Sequence, residues 1–179
     1  MVPSIDHLRY PIGTFTAPES CSSAQLDAWI SVIEEFPNRL SMMVDELTAA
    51  ELSWKYRPNG WSILQVIHHC ADSHLNAFVR FKLALTEENP IIKPYDEARW
   101  AELADSKLSP DLSLTLLHAV HTKWGFLLRS LGDKDFDRTY FHPEHQTSFT
   151  LREVAGSYAW HCNHHIAHIQ QALNAKGNY

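Results

Sequence analysis

Three cysteines, Cys21, Cys70 and Cys162, are odd in number and form no C-x-x-C pair, so the chain lacks the means for a disulfide frame. No run of Lys or Arg stands out and the net charge is −6, which removes the electrostatic footprint of a nucleic-acid binder. No segment approaches about 18 consecutive apolar residues, so no span of a membrane is expected. The opening residues MVPSIDHLRYPIG lack the basic-then-apolar layout of a signal peptide. These absences together predict a cytoplasmic protein that acts on a small molecule, with neither nucleic acid nor membrane as partner.

What is present is a globular balance, 45% hydrophobic and 20% charged, enough apolar surface to build a core. The 179 residues suit one domain over 1–179, in which the proline-containing residues 1–21 form an extended arm. Ser22 and Gln25 are spaced to cap a helix, and Leu26, Trp29, Ile30, Ile33 and Phe36 then keep helical period. Pro37 falls inside that pattern and should kink or divide it. Thr48 and Glu51 cap a short turn, and Ser62 with Gln65 opens a second long helix over about 62–86. A short helix near 96–105 precedes Ser109-Pro110, the start of a third helix that runs through Leu112, Leu116, Leu117, Val120 and Trp124. Residues 132–149 read as a polar loop, with YFHPEH and TSFTL the only strand candidates. The expected fold is therefore all-α: a four-helix bundle with an N-terminal arm and a long loop before the last helix.

That last helix carries the strongest signal. Thr150 and Glu153 are spaced as a capping box, and the stripe Leu151, Val154, Tyr158, His161, His165, His168, Ala172 follows at steps of three and four. Three of the chain's twelve histidines stand where a bundle would place aliphatic residues. Each loses about 1.5–3 kcal/mol of apolar burial and, if unpartnered, about 1–3 kcal/mol more. A bound metal ion offsets such a cost, since structural zinc contributes about 10–16 kcal/mol in small peptides. Rings at i and i+4 can converge on one ion, so His161 and His165 are candidate ligands. His168 lies seven residues from His161, about 10 Å along the axis, which is too far to join them. A third ligand must come from another helix, and HHCADSH offers His68, His69 and His74. Periodicity does not choose among them, although Asp72 lies three residues beyond His69 as a possible acceptor behind that ring.

The motifs RYPIG, RPNGWS, HHCADSH, RFKLALTEENP, KPYDEA, WAELAD, FHPEH and YAWHCNHHIAH span most of the chain. In these the sequence resembles the DinB superfamily, and within it the YfiT-like metal-dependent hydrolases, a group that includes bacillithiol S-transferases. The resemblance implies a four-helix bundle, a homodimer, and an ion held by His69, His161 and His165 with Asp72 as accompanying acid. It leaves His168 behind the ligands at most. Three neutral imidazoles suit zinc first, and nickel, iron(II) and cobalt also. Such an ion leaves two reactions open. A thiol S-transferase would use a low-molecular-weight thiol such as bacillithiol, and is preferred on the resemblance; a hydrolase would use a metal-bound hydroxide. A non-catalytic reading is a metal-stabilised helical dimer, for which Cys70 or a carboxylate would close the ion's shell. His142 and His145 are candidates for the site mouth, and Asn76 and Arg80 for contacts to an anionic substrate. Cys162 and Trp160 flank the ligands in sequence but are expected to point elsewhere. Since ligand rings must be neutral, ion occupancy is expected to fall below about pH 6.5.

Overall fold

The computed structural model describes residues 6–179; residues 1–5 of the expected arm lie outside them. Four long helices dominate. After a single helical turn, α1 (Asp6–Arg9), come α2 (Ser23–Val44), the short α3 (Ala49–Leu52) and α4 (Ile63–Thr86). A turn of helix, α5 (Glu97–Trp100), and a 3-10 turn at Ala104–Lys107 precede α6 (Pro110–Ser130). Then follow α7 (Asp133–Phe136), strands β1 (Thr139–His142) and β2 (Thr147–Thr150), and α8 (Leu151–Ala175). The expected loop over 132–149 is thus a helical turn and an antiparallel hairpin that pairs Tyr140 with Phe149 and His142 with Thr147. Alternation explains it: Tyr140 and His142 turn inward while Thr139 and Phe141 are only partly covered.

Local chemistry sets the helix ends. Thr48, Ser62 and Thr150 each accept from the backbone N–H three residues on, and Glu51, Gln65 and Glu153 reach back, closing three capping boxes. α8 ends where Lys176 turns left-handed at φ 49° and Gly177 follows at φ 76°. A Cβ on Gly177 would also stand 2.8 Å from the Trp54 indole nitrogen.

Around the bundle the order is α2, α6, α4, α8: α2 packs on α6 and α8, and so does α4. Consecutive long helices α2 and α4 therefore face each other across the diagonal. Pro37 does not divide α2, which runs unbroken through it with Pro37 buried. The ring removes the N–H that would bond the Ile33 carbonyl, and the His121 Nδ1–H from α6 donates to that carbonyl at 2.6 Å instead. On α6 the expected Leu117, Val120 and Trp124 are buried, but the start of the expected stripe is not. Leu112 and Leu116 are exposed, whereas Ser113, Leu117, His121, Trp124 and Gly125 are buried.

The arm lies along the outside of α8. Trp160 Nε1 donates to the Gly13 carbonyl at 3.1 Å and Gln171 Nε2 to the Leu8 carbonyl at 3.0 Å. Phe15 meets the edge of Trp29 over Gly156, where an added Cβ would come within 2.9 Å of Trp29 and 3.0 Å of Phe15. Gly156→Ala is accordingly expected to destabilise the fold by about 1–3 kcal/mol through overpacking, less about 1 kcal/mol gained in helix propensity. Thermal melting measures the net loss, and faster proteolysis within residues 10–20 would show that the arm is what lifts.

Candidate metal centre

His69 on α4 and His161 and His165 on α8 come together where those two helices pack. The Nε2 atoms of His69 and His161 are 3.3 Å apart, and those of His165 and His161 3.2 Å. All three ligand atoms fall within 4.8 Å of one another. Two nitrogens at the zinc distance of about 2.0–2.1 Å and tetrahedral angles would be separated by about 3.3 Å. Two of the three pairs therefore already hold the spacing a divalent ion needs, and the third falls within 4.8 Å. Among the described residues no other group of three His, Cys, Asp or Glu side chains converges this way, and Cys70 is packed in the apolar core. Three neutral imidazoles would hold such an ion and leave it open to water or substrate.

Burial keeps these rings neutral. It lowers His69 to about 4, and drives His161 and His165 well below the ordinary imidazole value, with the neighbouring histidines adding repulsion. Neutral imidazole is the form a metal binds.

Further histidines stand behind the ligands. His74 Nε2 lies 2.9 Å from His161 Nδ1, and His74 Nδ1 lies 2.6 Å from His121 Nε2. On the other side His168 Nδ1 lies 3.4 Å from His165 Nδ1, while His168 Nε2 donates to the Arg9 carbonyl at 3.0 Å. His68 is turned away, bonded to the Ser113 hydroxyl at 2.7 Å and the Leu108 carbonyl at 3.1 Å. His164 is buried but stacks on Trp160. Asp72 is not brought to the cluster. No hydrogen bond joins its carboxylate to His69; burial and then Asp105 raise its pKa, with His68 opposing. A step of three residues turns a helix about 60° short of a full circle, enough to point Asp72 to a different neighbour. His121 was the residue that periodicity passed over. Its position between Leu117 and Trp124 on the buried stripe was the available signal.

A cavity of about 410 Å³ reaches His161. Arg80, Glu97, Tyr140, His142, His145 and Tyr158 line it, so the hairpin brings both loop histidines to its wall, their rings 4.4 Å apart. Burial, then the neighbouring Glu144, raises the Glu97 carboxyl above its ordinary value. Asn76 is not among the lining residues; its amide bonds back to the Asp72 carbonyl at 2.9 Å. Cys162 is packed in the core and burial holds its thiol protonated, which rules out a ready nucleophile.

The model for the DinB superfamily matches residues 33–169. A protein of Bacillus subtilis (strain 168), provisionally named metal-dependent hydrolase YfiT, is 48% identical over 172 residues, covering 96% of this chain and 97% of that one. A relative from Bacillus cereus (strain B4264), under the same provisional description, is 49% identical over 166 residues, covering 92% of this chain and 95% of its own. The solved YfiT structure, described as a four-helix bundle of unusual topology, superposes at TM-score 0.92 over 96% of this chain and 98% of that chain. A mycothiol-dependent maleylpyruvate isomerase shares the fold at TM-score 0.58 and 16% identity, over 78% of this chain and 60% of its own.

Proposed function

The chain belongs to the DinB superfamily, and from that premise we propose that it is a metal-dependent hydrolase of small molecules whose divalent ion is held by His69, His161 and His165. The observation that carries the proposal is the convergence of three neutral imidazoles, with His161 Nε2 at 3.3 Å from His69 Nε2 and 3.2 Å from His165 Nε2 and all three donor atoms within 4.8 Å of one another. Hydrolysis is preferred to thiol transfer because relatives 46–49% identical bear the hydrolase name, whereas thiol transfer rests on family resemblance alone. Zinc is the preferred ion, although three nitrogens accommodate nickel, iron(II) or cobalt.

When bound, an ion on three neutral ligands keeps its full positive charge, which polarises a carbonyl and acidifies water. The protein supplies the rest. The cavity beside His161 admits a small molecule, and Arg80 on its wall offers a cation to an anionic or carbonyl group. Glu97, whose carboxyl is raised above its ordinary value by burial and by Glu144, is placed on the cavity wall to take up or return a proton.

The test is metal analysis of the purified protein followed by a panel of small esters and amides, with and without chelator. Turnover of at least one class, lost on chelation and restored by zinc or nickel, is the expected result. Product that forms only with added bacillithiol would assign thiol transfer instead. Protein that neither takes up metal nor turns over any substrate would remove the basis of the proposal.

A further inference from the structure

Two lines of histidines end at the candidate ligands, and each begins at a backbone carbonyl. A carbonyl only accepts, so each line has one possible direction when its rings are neutral. Ile33 O on α2 fixes His121 on α6 as the Nδ1–H form, leaving its Nε2 as acceptor. His74 on α4 must then donate from Nδ1 to His121 and accept at Nε2. His161 on α8 donates from Nδ1 to His74, and its Nε2 is left as a bare lone pair facing His69 and His165. The line visits each long helix in the order in which they pack. Aromatic rings wall it: Phe36 lies 5.0 Å from His74 and 5.6 Å from His121, and Trp124 and Tyr158 stand edge-on to His74. The second line is shorter. Arg9 O fixes His168 as Nε2–H, its Nδ1 accepts from His165 Nδ1–H, and His165 Nε2 is likewise bare.

We infer that His74 and His121 are positioning residues for His161, and His168 for His165, each line setting the tautomer that turns an Nε2 lone pair on to the metal site. The inference rests on the proposed ligand set. It deepens it by explaining why two acceptors stand 3.2 Å apart in a buried place: two bare lone pairs repel until a cation lies between them. It also gives Pro37 a role, since the carbonyl that orients the longer line is free because a proline stands four residues later. The arm enters the site in the same way, through the Arg9 carbonyl.

The direct test needs no variant. Long-range proton–nitrogen spectra of metal-free protein labelled with 15N-histidine should show His74, His121, His161 and His165 as Nδ1–H and His168 as Nε2–H. A proton on Nε2 of His161 would overturn the longer line, and one on Nδ1 of His168 the shorter. A second measurement uses zinc affinity. His74→Leu, which neither donates nor accepts, should weaken binding about 10- to 100-fold and leave His161 with mixed tautomers. His74→Gln, whose amide does both, should restore most of the affinity. A folded His74→Leu that binds zinc as tightly as the parent would sink the role given to His74. Should that variant not fold, the spectra of the parent protein decide. Failure of the parent to bind any metal would remove the proposed function while leaving the tautomer assignment to stand or fall on its own spectra.

Discussion

His161→Ala is expected to lower zinc affinity by about a hundred- to a thousandfold and to abolish metal-dependent turnover. Structural zinc contributes about 10–16 kcal/mol through four donors, so one donor accounts for about 2.5–4 kcal/mol. Each 1.4 kcal/mol corresponds to about a factor of ten. His161 is chosen because it alone of the three candidate ligands also lines the cavity, so its loss would remove both a donor to the proposed ion and part of the cavity wall. Two neighbours serve as contrasts. Asp72→Asn should leave affinity within about twofold, because no hydrogen bond connects that carboxylate to His69. Cys162→Ala should lower thermal stability, since the side chain is wholly buried, without changing affinity. Titration against a competing chelator ranks all three. Metal binding unaffected in His161→Ala but weakened in Asp72→Asn would mean that the ion sits elsewhere.

The difference between these side chains shows which parts of the molecule its sequence carried openly. Capping boxes at Thr48, Ser62 and Thr150 are local, involving residues three apart, and all three form. His161 and His165 were legible for the same reason, as i, i+4 geometry is fixed by the helix itself. The third candidate, His69, came from the family resemblance and not from the pattern, because nothing within α4 distinguishes His68 from His69 or His74. That choice belongs to how α4 is rotated against α8. The histidine lines were still less accessible. They depend on carbonyls of α2 and the arm, and Pro37 reads locally as a break rather than as the source of a free acceptor. The exposure of Leu112 and Leu116 on α6 has a related cause. Ser113 and Gly125 let neighbouring chains approach, the latter placing Glu34 within 2.7 Å of where a Cβ would be, so the small residues rather than Leu112 and Leu116 face inward. The arm hides the outer side of α8, where Tyr10 and Trp160 meet the His164 ring, which is why His164 is buried although it lies off the one stripe that the pattern suggests.

Acid should unfold the metal-free protein cooperatively with a midpoint at about pH 5, and stability should be flat above about pH 7.5. Burial lowers His69, His121 and His168 from 6.5 to about 4, and His164 to about 3. Each ring is thus neutral in the folded chain over a range in which the unfolded chain has already taken up its proton. Above about pH 7.5 neither state is protonated and the four contribute no slope. As pH falls through 6.5 toward 4 the unfolded state binds more protons, and stability drops by about 3 kcal/mol for each ring shifted by that amount. Several such rings together match the net stability of a domain, about 5–15 kcal/mol, so the loss should run to completion. The same shifts move the expected window for metal loss. Occupancy set by the folded-state pKa of His69 persists below 6.5, and the ion should leave with the acid transition rather than before it. Added zinc, bound only by the folded chain, should push the midpoint to lower pH as its concentration rises. Circular dichroism against pH, with chelator and with zinc, measures both effects. Native signal retained to pH 3.5 in chelator would show that these rings do not resist protonation as their burial requires.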